Sequence, residues 1–479
     1  MPSTRVPLPV VGPVSSLPQA SEAPAAHEDV SLQPSMPTFT VVNLGCPKNQ
    51  VDGEGMQSLL LRSGYALSRD PRRADAVIVN TCGFIKPAIE ESVHTIRMLA
   101  ARKRPGQLLI VAGCLAQRLG EQLADDFPKV DGILGTLRWN EVVELVGELR
   151  QGHPSYWLGP SRAPTVAPRA TRAPSAYLKI SDGCDVNCAF CTIPTFKGRH
   201  RSKPADRIVH EARELVAQGV KEVVLIGQDT TDYGRDVGQR DGLSTLLDRL
   251  CDEVPELPWI RLMYAFPGRL TPRLLETIAR RDQVLKYVDL PLQHASREVL
   301  ARMGRPRHDL REVVGEIRAA IPDVAIRSAF IVGFPGETSS EFAELLAFLD
   351  DAQLDRVGVF RYSRESGTRA GEMADQVPER TKERRFRRAM AAQQRISLAR
   401  NRRLVGRTLQ VLVEGRVEAE GPGEPTPFRS VGRSYRDAPE VDGLVFVRED
   451  VPDGAIVDVK VVDAMAYDLV AELAATPAS

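Results

Sequence analysis

The 479-residue chain has no apolar run of the roughly 18 residues that a membrane-spanning helix needs. Its N-terminus has no apolar stretch after a basic start, so no secretory signal is expected. Together these point to a cytoplasmic protein without a membrane partner. There is no excess of charge of either sign, with 63 basic against 63 acidic residues, so whole-chain charge names no partner. No obvious nucleophile–His–acid constellation is present, which agrees with chemistry that needs no proton-transfer base. The seven cysteines do not make an even, disulfide-like count, and six of them fall into two sets. That usage fits a reducing compartment and metal ligation. The 43% apolar and 26% charged content is that of a globular protein, and the length allows two to four domains.

What is present centres on residues 181–191, Ser-Asp-Gly-Cys-Asp-Val-Asn-Cys-Ala-Phe-Cys. Cys184, Cys188 and Cys191 stand at spacing C-x3-C-x2-C after a strand-like run at 176–180. Cubane iron–sulfur clusters are normally held by four thiolates. Three thiolates from one short loop leave one iron open to a small chelating ligand. The competing reading is a zinc knuckle, which needs four ligands in closed tetrahedral geometry. No fourth cysteine lies nearby, and His200 sits in the basic run 197–203.

Residues 1–36 are rich in Pro, Ser and Ala without apolar periodicity and read as a disordered tail. Residues 37–148 alternate strand and helix, which implies an α/β domain with a doubly wound parallel sheet. Cys46, Cys82 and Cys114 each fall just past the C-terminal end of a strand. Ligand sites in open α/β sheets lie at that edge, so the three can converge. Unrelated core cysteines would instead fall within strands. Residues 149–174 read as a linker with a short strand near 155–158.

Residues 175–403 hold six strand-like runs separated mostly by helices, which suits a partial (β/α)6 barrel. Chemistry in such barrels sits at the C-terminal strand ends, where the cysteine loop lies. Polar residues there include Gln228, Asp229 and Tyr233, then Gln293 and His294, and later Arg361, Tyr362 and Ser363. Arg327 and Ser328 lie in the fifth run, ahead of Gly333-Phe334-Pro335-Gly336-Glu337, which is either a ligand-approaching loop or a turn. Cys251 reads as packing in an amphipathic helix. Residues 378–403 form a basic helix with ten Arg or Lys against two Glu, either a solvated face or an RNA contact. Residues 404–479 read as five short strands in a small, OB-like antiparallel β-barrel.

The two cysteine triads, their order and the C-terminal barrel resemble the radical S-adenosylmethionine (SAM) methylthiotransferases over about residues 38–475. The resemblance implies an N-terminal cluster domain, a radical SAM core and a TRAM domain. It implies two 4Fe–4S clusters, one on Cys46, Cys82 and Cys114, the other, which binds SAM, on Cys184, Cys188 and Cys191. Phe190 matches an adenine-contacting position, and Gln228, Asp229, Gln293 and Arg327 are the further candidate cofactor contacts. The family's chemistry passes one electron to SAM to form a 5′-deoxyadenosyl radical, and a second SAM supplies the methyl group. An electron donor such as flavodoxin or ferredoxin and a sulfur donor are implied partners.

Leu-Gly-Cys-Pro-Lys-Asn, Asn-Thr-Cys-Gly-Phe-Ile and Cys-Ala-Phe-Cys-Thr-Ile-Pro resemble one branch of that family. That branch methylthiolates an aspartate β-carbon on the twelfth small-subunit ribosomal protein. Gly53 departs from the usual Asp-Ser-Glu but touches no expected ligand position. Residues 407–479 carry seven basic against fourteen acidic residues, which favours a basic protein substrate over RNA phosphates. The basic helix runs against this. The alternatives are methylthiolation of a tRNA adenosine beside the anticodon, and a non-catalytic iron–sulfur carrier or ribosome-binding module.

Overall fold

A computed structural model describes residues 36–161, 169, 171, 173–417 and 427–474. All of the expected tail at 1–36 except Met36, part of the linker, and residues 418–426 and 475–479 lie outside the described residues.

Six strands form the first sheet: β1 (Thr38–Asn43), β2 (Ala66–Leu67), β3 (Ala76–Thr81), β4 (Leu108–Gly113), β5 (Gly132–Gly135) and β6 (Ser155–Trp157). Their order is β2-β1-β3-β4-β5-β6, and every pairing is parallel. Strands β3 and β4 are apolar runs buried on both faces, as a helix-covered parallel sheet requires. Side chains alternate between two cores. Phe39, Ile78 and Ile110 pack on one face with Met56 and Leu145, whereas Val77, Leu109 and Val111 pack on the other with Ile96 and Leu115. The short strand expected in the linker is β6, and it completes the edge of this sheet beside β5.

The central region contributes β7 (Ser175–Lys179), a two-residue ribbon β8 (Ser181–Asp182) with β9 (Arg201–Ser202), then β10 (Glu222–Ile226), β11 (Trp259–Leu262), β12 (Tyr287–Asp289), β13 (Ala325–Val332) and β14 (Arg356–Arg361). Strands β11-β10-β7 and β12-β13-β14 form two parallel three-stranded halves. A parallel bridge between Ile260 and Val284 joins them, with Leu285 N–H donating to the Ile260 carbonyl at 2.9 Å. The result is an open six-stranded partial barrel whose strands begin at one end and finish at the other.

The C-terminal strands are β15 (Thr408–Arg416), β16 (Ser430–Ser434), β17 (Val445–Val447), β18 (Ile456–Ala464) and β19 (Leu469–Leu473). They close into a barrel of order β15-β16-β17-β19-β18. Four pairings are antiparallel, and β17 with β19 is parallel. This small barrel caps the N-terminal end of the large one. Arg433 of β16 pairs with Glu222 of β10 at 2.5 Å, and Arg261 of β11 pairs with the same carboxylate at 2.6 Å. All three side chains are essentially without solvent exposure.

Candidate cluster and cofactor site

The opposite, C-terminal ends of both large sheets face one another across a cavity of about 330 Å³. Cys46, Cys82, Cys114, Cys184, Cys188 and Cys191 all line it. Each of the first three sits where a strand of the first sheet ends: Cys46 three residues past β1, Cys82 and Cys114 directly after β3 and β4. Glycines let these loops converge. A methyl group on Gly45, which has φ +92°, would stand 2.6 Å from Cys82 Cβ, and one on Gly83 would stand 2.9 Å from the Leu115 nitrogen. Asn49 fastens the loops, its amide donating to the Leu44 and Thr81 carbonyls at 2.9 Å each. Ser92 Oγ accepts from Cys82 N–H at 3.1 Å.

The second triad lies on the loop after β8. Cys184 N–H donates to the Gly198 carbonyl at 3.1 Å, and Ala189 N–H to the Met303 carbonyl at 2.8 Å. Donors point at the sulfurs: Val186 N–H lies 3.4 Å from Cys184 Sγ, Ile193 N–H 3.5 Å from Cys191 Sγ, and Arg305 Nη1 3.7 Å from Cys188 Sγ. Such donors stabilise a thiolate once a metal has displaced its proton. Without metal, burial pushes the Cys184 thiol up to about 11 and that of Cys191 to about 12. The same cause takes Cys82 to about 11 and Cys114 to about 12. Among the described residues, no three His, Cys, Asp or Glu side chains cluster tightly enough for a single metal ion.

Phe190, Gln228 and Gln293 line the same cavity. Gln228 Oε1 is buried and has no hydrogen-bond partner among the described residues. Gln293 adopts φ +72°, an unusual backbone state for a residue with a side chain. The other two expected cofactor contacts, Asp229 and Arg327, are not among the residues that line this cavity. Asp229 is 2% exposed and pairs with Arg269 at 2.6 Å. Arg327 turns toward the small barrel, pairing with Asp289 at 2.8 Å and Asp442 at 3.3 Å. Two other strand-end residues make hydrogen bonds within the fold. Tyr233 OH donates to the Lys203 carbonyl at 2.8 Å, and His294 Nδ1 accepts from Ser296 N–H at 3.0 Å. The Gly-Phe-Pro-Gly-Glu run is a turn in which Glu337 accepts from the Gly333 and Phe334 N–H groups. Cys251 is buried in the core of the large barrel.

Sequence reasoning did not single out Lys48, Tyr264, Arg305 or Lys197 as members of the cavity wall. Lys197 is buried and held by Asp182 at 3.1 Å and Asp52 at 3.5 Å. Its partner pair, Lys179 with Asp182 at 2.7 Å and with Asp52, ties the first domain to the large barrel. Arg305 gives its guanidinium to the Pro291 carbonyl at 2.5 Å and stacks on Phe266.

Three family models match the chain: "Uncharacterized protein family UPF0004" over residues 38–135, "Radical SAM superfamily" over 178–349 and "TRAM domain" over 405–474. The ribosomal protein uS12 methylthiotransferase RimO of Chloroflexus aurantiacus is 49% identical over 454 residues, covering 90% of this chain and 98% of that protein. The protein of the same description from Geobacter sulfurreducens is 44% identical, covering 91% and 98%. Among solved structures, the radical SAM methyltransferase TsrM of Kitasatospora setae, with cobalamin and a [4Fe-4S] cluster bound, matches with a TM-score of 0.53. It is 15% identical over 70% of this chain and 77% of its own, a likeness of fold alone. With such close relatives along nine-tenths of its length, and both cysteine triads facing one cavity, the chain belongs to the RimO family of radical SAM methylthiotransferases.

Proposed function

We propose that this protein methylthiolates the β-carbon of an aspartate on ribosomal protein uS12. The observation that carries the reading is the meeting of two cysteine triads from two domains in one cavity. Cys46, Cys82 and Cys114 are the proposed thiolate ligands of one 4Fe–4S cluster. Cys184, Cys188 and Cys191 are those of the other, whose open iron position takes SAM. When bound, these groups would supply the chemistry that replaces a C–H bond by C–SCH3: the hydrogen would leave on the deoxyadenosyl product of one SAM, the methyl would come from a second SAM, and the electron and sulfur would enter from the external donors. The chain's own part is binding, orientation and exclusion of water. Phe190, Gln228 and Gln293 face the space where SAM belongs, and Gln228 Oε1 offers an uncommitted acceptor. Arg305 and the Val186 and Ile193 N–H groups orient the sulfurs of the second triad. Phe84, Phe196 and Phe266 give the cavity apolar walls that keep water out.

The proposed setting is the cytoplasm, where ribosomal protein is made and thiols stay reduced. Among the described residues no helix is long and apolar enough to cross a membrane. An electron donor such as flavodoxin or ferredoxin and a sulfur donor complete the reaction. The charge of the small barrel supports a basic protein substrate, although Asp437 and Asp442 are spent on buried pairs with Arg356 and Arg327. Arg433 and Arg436 are buried in the same interface, so the surface balance stays acidic. Mass spectrometry of uS12 from a strain deleted for this gene tests the reading. The methylthio group is expected to vanish on deletion and return with the wild-type gene. An unchanged uS12 accompanied by loss of a methylthio group from tRNA would overturn it.

A further inference from the structure

Lys48 lies two residues past Cys46, yet its side chain crosses from the first domain to the ends of the large barrel. Its ammonium donates to the Gly227 carbonyl at 3.3 Å and sits 3.2 Å from the centroid of the Tyr264 ring. Among the described residues it makes no hydrogen bond to a carboxylate and no ion pair. The other cations of the cavity wall are committed: Lys197 to Asp182 and Asp52, Arg305 to the Pro291 carbonyl and the Cys188 sulfur. A lysine ammonium has three donors, and one carbonyl occupies only one of them. An ammonium beside apolar walls is costly unless an anion joins it. The aromatic face holds it in place without neutralising it.

Tyr264 is built for this position. Its φ of +61° is an outlier for an aromatic residue. The surroundings enforce it: Tyr264 N–H donates to Asp289 Oδ2 at 2.9 Å, and its carbonyl accepts from Thr230 N–H at 3.0 Å. Asp289 is fixed in turn by Arg327 at 2.8 Å. Strain that is held this firmly beside a cavity marks a position the site needs.

We infer that Lys48, seated on Tyr264, binds the side-chain carboxylate of the substrate aspartate and so fixes the carbon to be modified. This rests on the uS12 reading and names the residue that selects an acidic side chain. The chemistry fits, because the aspartate β-carbon is bonded directly to the carboxyl carbon. One clamp on the carboxylate therefore leaves the β-carbon little freedom inside a cavity flanked by both triads.

Equilibrium binding to the anaerobically reconstituted protein tests the inference, using uS12 with Asp or Asn at the modified position, free and within the small subunit. The wild-type protein is expected to prefer Asp by about tenfold to a hundredfold. Lys48→Met is expected to bind both forms at the Asn level, and Lys48→Arg to keep part of the preference. Discrimination retained in Lys48→Met overturns the inference, as does a wild-type protein that binds both forms equally. Loss of SAM affinity in Lys48→Met with the Asp preference intact overturns it as well, assigning the ammonium to the cofactor's carboxylate. A wild-type protein that binds neither form overturns the uS12 reading, and the inference with it. Matching thermal melts of Lys48→Met and Lys48→Arg with wild type establish that both variants are folded.

Discussion

At Gly53 a methyl group would stand 1.7 Å from Asn43 Oδ1. That oxygen accepts from Asn80 Nδ2 at 3.1 Å, and the same amide donates at 2.7 Å to the Asn49 carbonyl in the first turn of the helix after Cys46. Restoring the serine usual in the family would push Asn43 out of this chain of contacts. Gly53→Ser is expected to cost about 1–3 kcal/mol in chemical denaturation. Adding Asn43→Ala is expected to recover part of the loss, and an unchanged midpoint for Gly53→Ser would contradict the packing. Nothing in the sequence displays the link between positions 43 and 53, because it exists only after strand and helix have packed. The cysteines were legible for the opposite reason: their placement just past strand ends is local. Phe190, Gln228 and Gln293 followed the same positional logic into the cavity wall. Asp229 and Arg327 obeyed it equally; each is tied into an ion pair and neither is among the residues lining the cavity. Lys48 escaped notice because its target lies on another domain.

Strands were legible as elements wherever β-branched runs made them, as in β3 and β13. The exceptions include β2 and β9, only two residues long each, and β5, whose four residues begin and end in glycine. The basic helix Glu379–Arg402 was read as a solvated face or an RNA contact, but part of its charge is internal. Lys382 donates to the Tyr362 carbonyl at 3.0 Å and Arg385 to that of Glu337 at 3.0 Å, so these two brace the large barrel. Between strands the most exposed to test is the link of β10, β11 and β16 through Glu222. Burial alone would raise that carboxyl, but Arg433 and Arg261 outweigh it and hold it down to about 2. An unfolded glutamate titrates near about 4.3. The depressed value therefore stabilises the fold above that pH and is lost as pH falls from there toward 2. Thermal melts of the wild type are expected to drop steeply across this window. Glu222→Gln is expected to start lower at neutral pH, by about 3–5 kcal/mol for a broken buried pair, and to fall less steeply below pH 4.5. Parallel pH profiles for the two proteins would contradict the linkage.

On the scale of the whole molecule, the small barrel looked from its sequence like a separable module. Docked, it shares buried charges with the large barrel at four strands: Glu222 of β10, Arg261 of β11, Arg327 of β13 and Arg356 of β14. The ion pairs across this seam join residues far apart in the chain, 81 positions for Arg356 with Asp437 and 211 for Glu222 with Arg433, which is why composition gave no hint of them. The first domain closes the other end. Lys86 N–H donates to Glu365 Oε1 at 2.8 Å, and Arg118 lies 3.6 Å from the same carboxylate. The first domain and the large barrel thus share the cavity that both triads line, and the small barrel closes the far end of the large one. Two clusters facing that cavity are the centre of the functional reading, and iron content tests them most directly. The reconstituted wild type is expected to hold about eight irons per chain. Replacing Cys46, Cys82 and Cys114 by Ala, or Cys184, Cys188 and Cys191 by Ala, is expected to leave about half of that in each case. Full wild-type iron in either triple variant would contradict the two-cluster site.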